Sequence, residues 1–156
     1  MKTLQITEAN ARKLYKDATP EFKVTLEDTF GKEYFSRKVI DCDTYEEVCQ
    51  FIGESPVNED ELKRIGFTQD EIDYRKLKQI TKAYNDGWVA GYNDGSQQKW
   101  IPWFNFSPSG ARFDGSDCNF SFAFAGRAAR LCFKDEATSD AAGRKFTELY
   151  ARFINQ

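Results

Sequence analysis

The chain has 156 residues, of which 40% are hydrophobic and 30% charged, and its formal net charge is −3. That length suits one ordinary domain, that balance suits a folded soluble protein, and that charge gives no general attraction to nucleic acid or to an anionic membrane. Histidine is absent altogether, which removes imidazole bases, Ser-His and Cys-His nucleophile pairs and histidine metal ligands.

The N-terminal stretch MKTLQITEANARKLYK lacks the apolar run of a signal peptide, and no segment approaches the roughly 20 apolar residues of a membrane span. The sequence therefore predicts a soluble, intracellular protein. Helix starts then follow in quick succession. Thr7 caps a first helix, with Ile6 and Ala11 in staple positions and Leu14, Tyr15 and Ala18 on one face. Thr19-Pro20-Glu21 places a capping residue before a first-turn proline; Phe22, Leu26 and Phe30 follow at a spacing of four, and Gly31 supplies the stop. Lys38–Ile40 reads as a short extended piece. Thr44 with Glu47, Asn58 with Glu61 and Thr68 with Glu71 mark three further starts. The last opens the longest of these helices, striped by Tyr74, Leu77, Ile80 and Tyr84.

The character changes near residue 85. Tyr-Asn-Asp-Gly occurs at 84–87 and again at 92–95, which is turn chemistry because glycine accepts positive φ and Asn or Asp tolerates it. A calcium loop needs oxygen ligands at alternate positions ahead of its glycine. Here those positions hold Tyr84 and Lys82, or Tyr92 and Ala90, so turns are the expectation. Antiparallel strands are then predicted in KWIPWFNF, NFSFAFAG and ARLCFK, with ARF at 111–113 as a short strand of its own. In the second, Phe120, Phe122 and Phe124 share the face assigned to the core. In the third, Ala129, Leu131 and Phe133 face one way and Arg130, Cys132 and Lys134 the other. A helix from about residue 136, capped by Asp135, carries the stripe Ala142, Phe146, Leu149, Tyr150 and Phe153. The fold class read from this order is α+β: short N-terminal helices, then a small antiparallel sheet of about three to four strands with a C-terminal helix on one face. Residues 1–87 form the helical lobe and 88–156 the sheet with its helix, within one compact domain.

Eleven of the 24 aromatic residues lie between Trp88 and Phe133. In KWIPWFNF, alternation puts Trp100, Pro102, Phe104 and Phe106 on one side and Ile101, Trp103 and Asn105 on the other. Pro102 cannot donate to a ladder, which points to an edge strand or a bulge. Trp103 is then the ring expected outside, and Trp100 the one expected inside. Basic residues interleave with these rings at Lys99, Arg112, Arg127, Arg130 and Lys134, and with Trp103 they form the candidate binding set. Rings beside cations suit single-stranded nucleic acid. Against that, residues 88–156 hold eight basic and seven acidic side chains, close to balance. The four cysteines at 42, 49, 118 and 132 form no C-x-x-C pair and read as structural thiols. No phosphate-binding loop or dinucleotide fingerprint is present, and no cofactor, metal ligand set or catalytic residue is assigned.

The pattern K-x-x-P-W-F in KWIPWFNFSPSGARF, then RLCFK, then A-G-x-x-F in AAGRKFTELYARF, resembles a group of small proteins encoded by phages and prophages of Bacteroidetes. ATPEFKVTLEDTFGKEYF (18–35) and AYNDGW (83–88) are similar to that group too. The sequence departs from it at Ala129, where the group has serine, and in the Phe120–Phe124 run. The resemblance implies a phage-related setting and transfers no activity or site residue. The functional expectation is a non-enzymatic interaction protein working through its aromatic sheet on a host or phage protein. It would be cytoplasmic in the host cell, and not membrane-bound. Single-stranded nucleic-acid binding and a structural role in the virion are the alternatives.

Overall fold

The computed structural model describes residues 6–119 and 131–155. Helix α1 (Glu8–Asp17), α2 (Pro20–Phe30), α3 (Lys32–Ser36), α4 (Tyr45–Ile52), α5 (Glu59–Arg64) and α6 (Gln69–Asn85) precede strands β1 (Lys99–Ser107) and β2 (Gly110–Asn119). Helices α7 (Glu136–Lys145) and α8 (Thr147–Ile154) close the chain. The capping residues do what the sequence predicts. Thr7, Thr19, Thr44 and Asn58 each accept a hydrogen bond from a backbone N–H three residues on, and Thr68 with Glu71 forms a reciprocal box. Each such contact stabilises its helix by about 1 kcal/mol. Lys38–Ile40 is not extended: Val39–Asp41 is a turn of 3₁₀ helix, closed by the Asp41 carboxylate accepting from Lys38 N–H at 2.8 Å.

Helix α6 is the axis of the molecule. Ile72, Leu77, Ile80 and Tyr84 are buried along it. One continuous core joins Leu77, Ile80 and Tyr84 to α4 residues Tyr45, Val48 and Cys49, and to Phe133, Ala142, Phe146, Leu149 and Tyr150. The buried carboxylate of Asp73 takes two hydrogen bonds from Arg152, both 2.7 Å, which locks α8 to α6. At the end of α7, the Lys145 ammonium donates to the carbonyls of Ile40 and Cys42 and to the Asp43 carboxylate, at 2.7, 2.8 and 2.9 Å. Arg12 ties the N-terminal helices on, lying between the rings of Tyr34 and Phe51 at 4.2 and 4.1 Å.

The sheet is smaller than the sequence suggests. Among the described residues it has two strands, β1 and β2, paired antiparallel, not three or four. The predicted short strand at 111–113 is part of a ten-residue partner for β1. The predicted third strand, where it is described, contributes a single bridge between Trp100 and Phe133, with reciprocal N–H to C=O bonds of 3.0 and 2.8 Å. The reason lies two residues along. Pro102 presents its nitrogen to the same edge as Trp100 and has no hydrogen to give, so the ladder cannot continue past that pair. Asn85 then holds the segment in place of a strand. Its side-chain NH₂ donates to the Cys132 carbonyl at 2.9 Å, and its side-chain oxygen accepts from Lys134 N–H at 3.0 Å. Phe120, Phe122 and Phe124 lie outside the described residues.

A C-terminal helix does pack on the sheet, but as two pieces rather than one. Thr147 Oγ1 donates back to the Gly143 carbonyl at 2.8 Å, a contact that bends helices, and the break falls at Phe146. Gly143 sets the helix–sheet distance. A Cβ there would overlap the Phe113 ring and come within 2.9 Å of Pro102 Cβ.

Candidate functional site: the outer face of the hairpin

The register of β1 and β2 sorts side chains onto two faces. Trp100 with Cys118, Pro102 with Ser116, Phe104 with Phe113 and Phe106 with Ala111 are opposed on the inner face. Pro102 is buried there. Phe104 stacks on Tyr150 at 5.0 Å and meets Phe113 edge to face at 5.9 Å. Ser116 Oγ donates to the buried Ser139 Oγ of α7 at 2.8 Å. The outer face carries Ile101 opposite Asp117, Trp103 opposite Gly115 and Asn105 opposite Arg112.

A bulge sits at the centre of this face. The register slips between Trp103 and Phe104, leaving Asp114 as an extra residue on β2. Gly115 beside it has φ +148°, a conformation that side-chain-bearing residues rarely adopt. Gly115, directly opposite Trp103, puts no side chain beside the indole, which is 57% exposed. Trp100, the other tryptophan of the strand, packs against the core. A rigid strand, pinned from behind by α7 and α8, thus holds one large ring outward.

Of the predicted set, the structure brings Trp103 and Arg112 together on this face. Arg112 is already partnered by Asp114 at 3.3 Å. Lys99 is not at the surface: it is 2% exposed. Its ammonium donates to the carbonyls of Asp94 and Gln97 at 3.3 and 3.0 Å and faces the Tyr92 ring. It pins the 94–97 loop and offers nothing to a partner. Lys134 is half-buried, its backbone N–H held in the Asn85 clasp. Arg127 and Arg130 lie outside the described residues.

Sequence reasoning missed a second feature. A cavity of about 740 Å³ opens between α5, the far side of α6 and the loop that follows it. Its one advance sign was the density of turn residues at 85–95, in the loop that lines it. Cys132 borders it, and burial pushes the Cys132 thiol up, as it does those of Cys42 and Cys49, leaving all three weak nucleophiles at neutral pH. Among the described residues, no group of His, Cys, Asp or Glu converges to hold a metal ion, and no helix is long and apolar enough to cross a membrane. Neither protein-family models, nor curated proteins, nor solved structures match this chain.

Proposed function

We propose that the chain is a non-enzymatic interaction protein of phage origin, and that a protein partner docks on the outer face of the β1–β2 hairpin. The partner comes from the host or from the phage itself. The observation that carries this reading is Trp103. It is a large ring, mostly exposed, on a strand whose other face is fixed against two helices. Tryptophans so placed are the residue type most enriched among interface hot spots, where truncation costs about 2 kcal/mol or more of binding.

Charge favours a protein over nucleic acid. The outer face offers Arg112 against Asp114 and Asp117, so a phosphate backbone would meet more acid than base. Lys99, the cation nearest in sequence to the rings, is occupied in the interior. In this reading the chain acts in the host cytoplasm, and a virion role would require the same face to meet a capsid or tail subunit.

The test compares wild-type chain with Trp103→Ala as bait in extracts of infected cells, with fluorescence anisotropy against oligothymidylate run in parallel. Specific proteins held by the wild type and lost by a stably folded Trp103→Ala support the reading. Equal retention by both baits overturns it. Salt-sensitive oligothymidylate binding that needs Trp103 overturns it too, in favour of the nucleic-acid alternative.

A further inference from the structure

The cavity behind α6 is a different surface from the hairpin face, and its chemistry is more specific. Its walls are mainly apolar, supplied by Val57, Leu62, Trp88, Val89, Ala90 and Cys132. Val89, 79% exposed, presents its side chain among the lining residues. Its volume of about 740 Å³ lies within the roughly 300–1,000 Å³ typical of small-molecule sites.

Helix α6 contributes a stripe of cations to the same cavity. Arg75, Lys78 and Lys82, spaced at three and four residues, all line it and so share one helical face. Lys82 is paired with Glu54. Among the described residues Arg75 and Lys78 have no carboxylate partner, and each lies over an aromatic ring instead, Phe67 at 4.5 Å and Tyr74 at 5.0 Å. A ring beneath a cation orients it without neutralising it. Among the described lining residues the one carboxylate is Glu61. An apolar cavity with two uncompensated cations on one wall complements a ligand that is apolar along its body and anionic at one end.

We propose that this cavity binds a small amphiphilic carboxylate, an acyl or aromatic acid. Its carboxylate meets Arg75 and Lys78, and its apolar body lies against Leu62, Trp88 and Val89. Arginine is suited to the head group because its guanidinium can hold a carboxylate through two parallel hydrogen bonds. Trp88 lines the cavity and provides an intrinsic reporter.

The probe is decanoate, with decanol and decyltrimethylammonium as neutral and cationic comparisons, followed by calorimetry and by tryptophan emission. Saturable decanoate binding is expected, tighter than that of decanol and weakened by salt. The double variant Arg75→Gln/Lys78→Gln should lose about tenfold or more in decanoate affinity, the equivalent of one charge-assisted hydrogen bond, and bind decanol as before. In Trp88→Phe the emission change should vanish and calorimetric binding persist. Trp103→Ala should leave decanoate binding unchanged, so this site and the hairpin surface stand or fall separately. Absence of saturable binding, equal affinity for decanol and decanoate, or a double variant that binds decanoate normally would each overturn the proposal. So would binding of an acidic amphipathic peptide, or self-association through this face, with no uptake of decanoate.

Discussion

Gly143→Ala sets two physical effects against each other, and the structure decides the sign. In an exposed helix this substitution stabilises by about 1 kcal/mol, because alanine has less backbone freedom to lose. At residue 143 the new methyl would overlap the Phe113 ring and sit 2.9 Å from Pro102 Cβ, well inside the roughly 3.5–4.0 Å of a comfortable carbon contact. Neither neighbour can move away cheaply. Pro102 is buried in β1, and Phe113 is held between Phe104 at 5.9 Å and the Arg144 guanidinium at 4.6 Å. The helix must lift off the sheet instead. Overpacking of this severity costs about 3 kcal/mol, the upper end of its usual range. The net loss is then about 2 kcal/mol, a fall in melting temperature of roughly 4–8 °C for a domain of this size. Urea denaturation and calorimetry read it directly, and shrinking the ring with Phe113→Leu should recover part of the loss. A Gly143→Ala protein as stable as wild type, or more so, would refute the close approach of α7 to the hairpin.

Other substitutions probe separate parts of the account. Trp103→Ala should leave stability within about 1 kcal/mol, as surface changes do, whereas Trp100→Ala should cost about 2–4 kcal/mol because its ring packs on the core; denaturation midpoints compare them. Asn85→Ala leaves the Cys132 carbonyl and Lys134 N–H without their partner, so it should cost about 1–3 kcal/mol and speed amide exchange at Lys134. Glu59 carries the pH prediction. The hydrogen bonds it accepts from Lys76 and Lys63 hold its carboxyl at about 2 against an ordinary 4.5. A lowered folded value contributes stability that is fully present above 4.5 and lost as pH falls toward 2. Glu59→Gln should therefore be less stable than wild type at pH 7, by about 1 kcal/mol given the solvent screening of a partly exposed group. The two should draw together below pH 4.5 and converge only as pH falls below about 2 in an acid titration of stability; a gap that does not change with pH counts against the ion pairs.

What the sequence disclosed was local. Thr7, Thr19, Thr44, Asn58, Thr68 and Asp135 cap helices through bonds three residues long, so spacing alone identifies them. Alternation in β1 likewise separated Trp100 from Trp103 and placed Pro102 on an edge. The strand β2 was largely hidden, because GARFDGSDCN is polar, glycine-bearing and interrupted by a bulge at Asp114. Its stability comes from cross-strand pairing and from the fit of Phe113 to Gly143, both of which depend on distant residues. Lys99 was misplaced for a similar reason. A lysine reads as surface, and only the folded 94–97 loop brings two carbonyls to its ammonium. The bridge at Phe133 depends on Asn85, whose partners lie 47 and 49 residues away, and nothing in the local pattern around residue 85 announces that role. The cavity combines the polar side of α6 with a turn-rich loop, so it left no hydrophobic period to detect.

The central claim, that a protein docks on the outer face of the hairpin at Trp103, is tested most directly by photo-crosslinking. Benzoylphenylalanine is placed at residue 103, or at the exposed residue Glu21 of α2, and cells carrying the chain are irradiated during infection. The account predicts a discrete, nuclease-resistant protein adduct from residue 103 and none from residue 21. No adduct from residue 103, the same adducts from both positions, or an adduct that nuclease removes would contradict it.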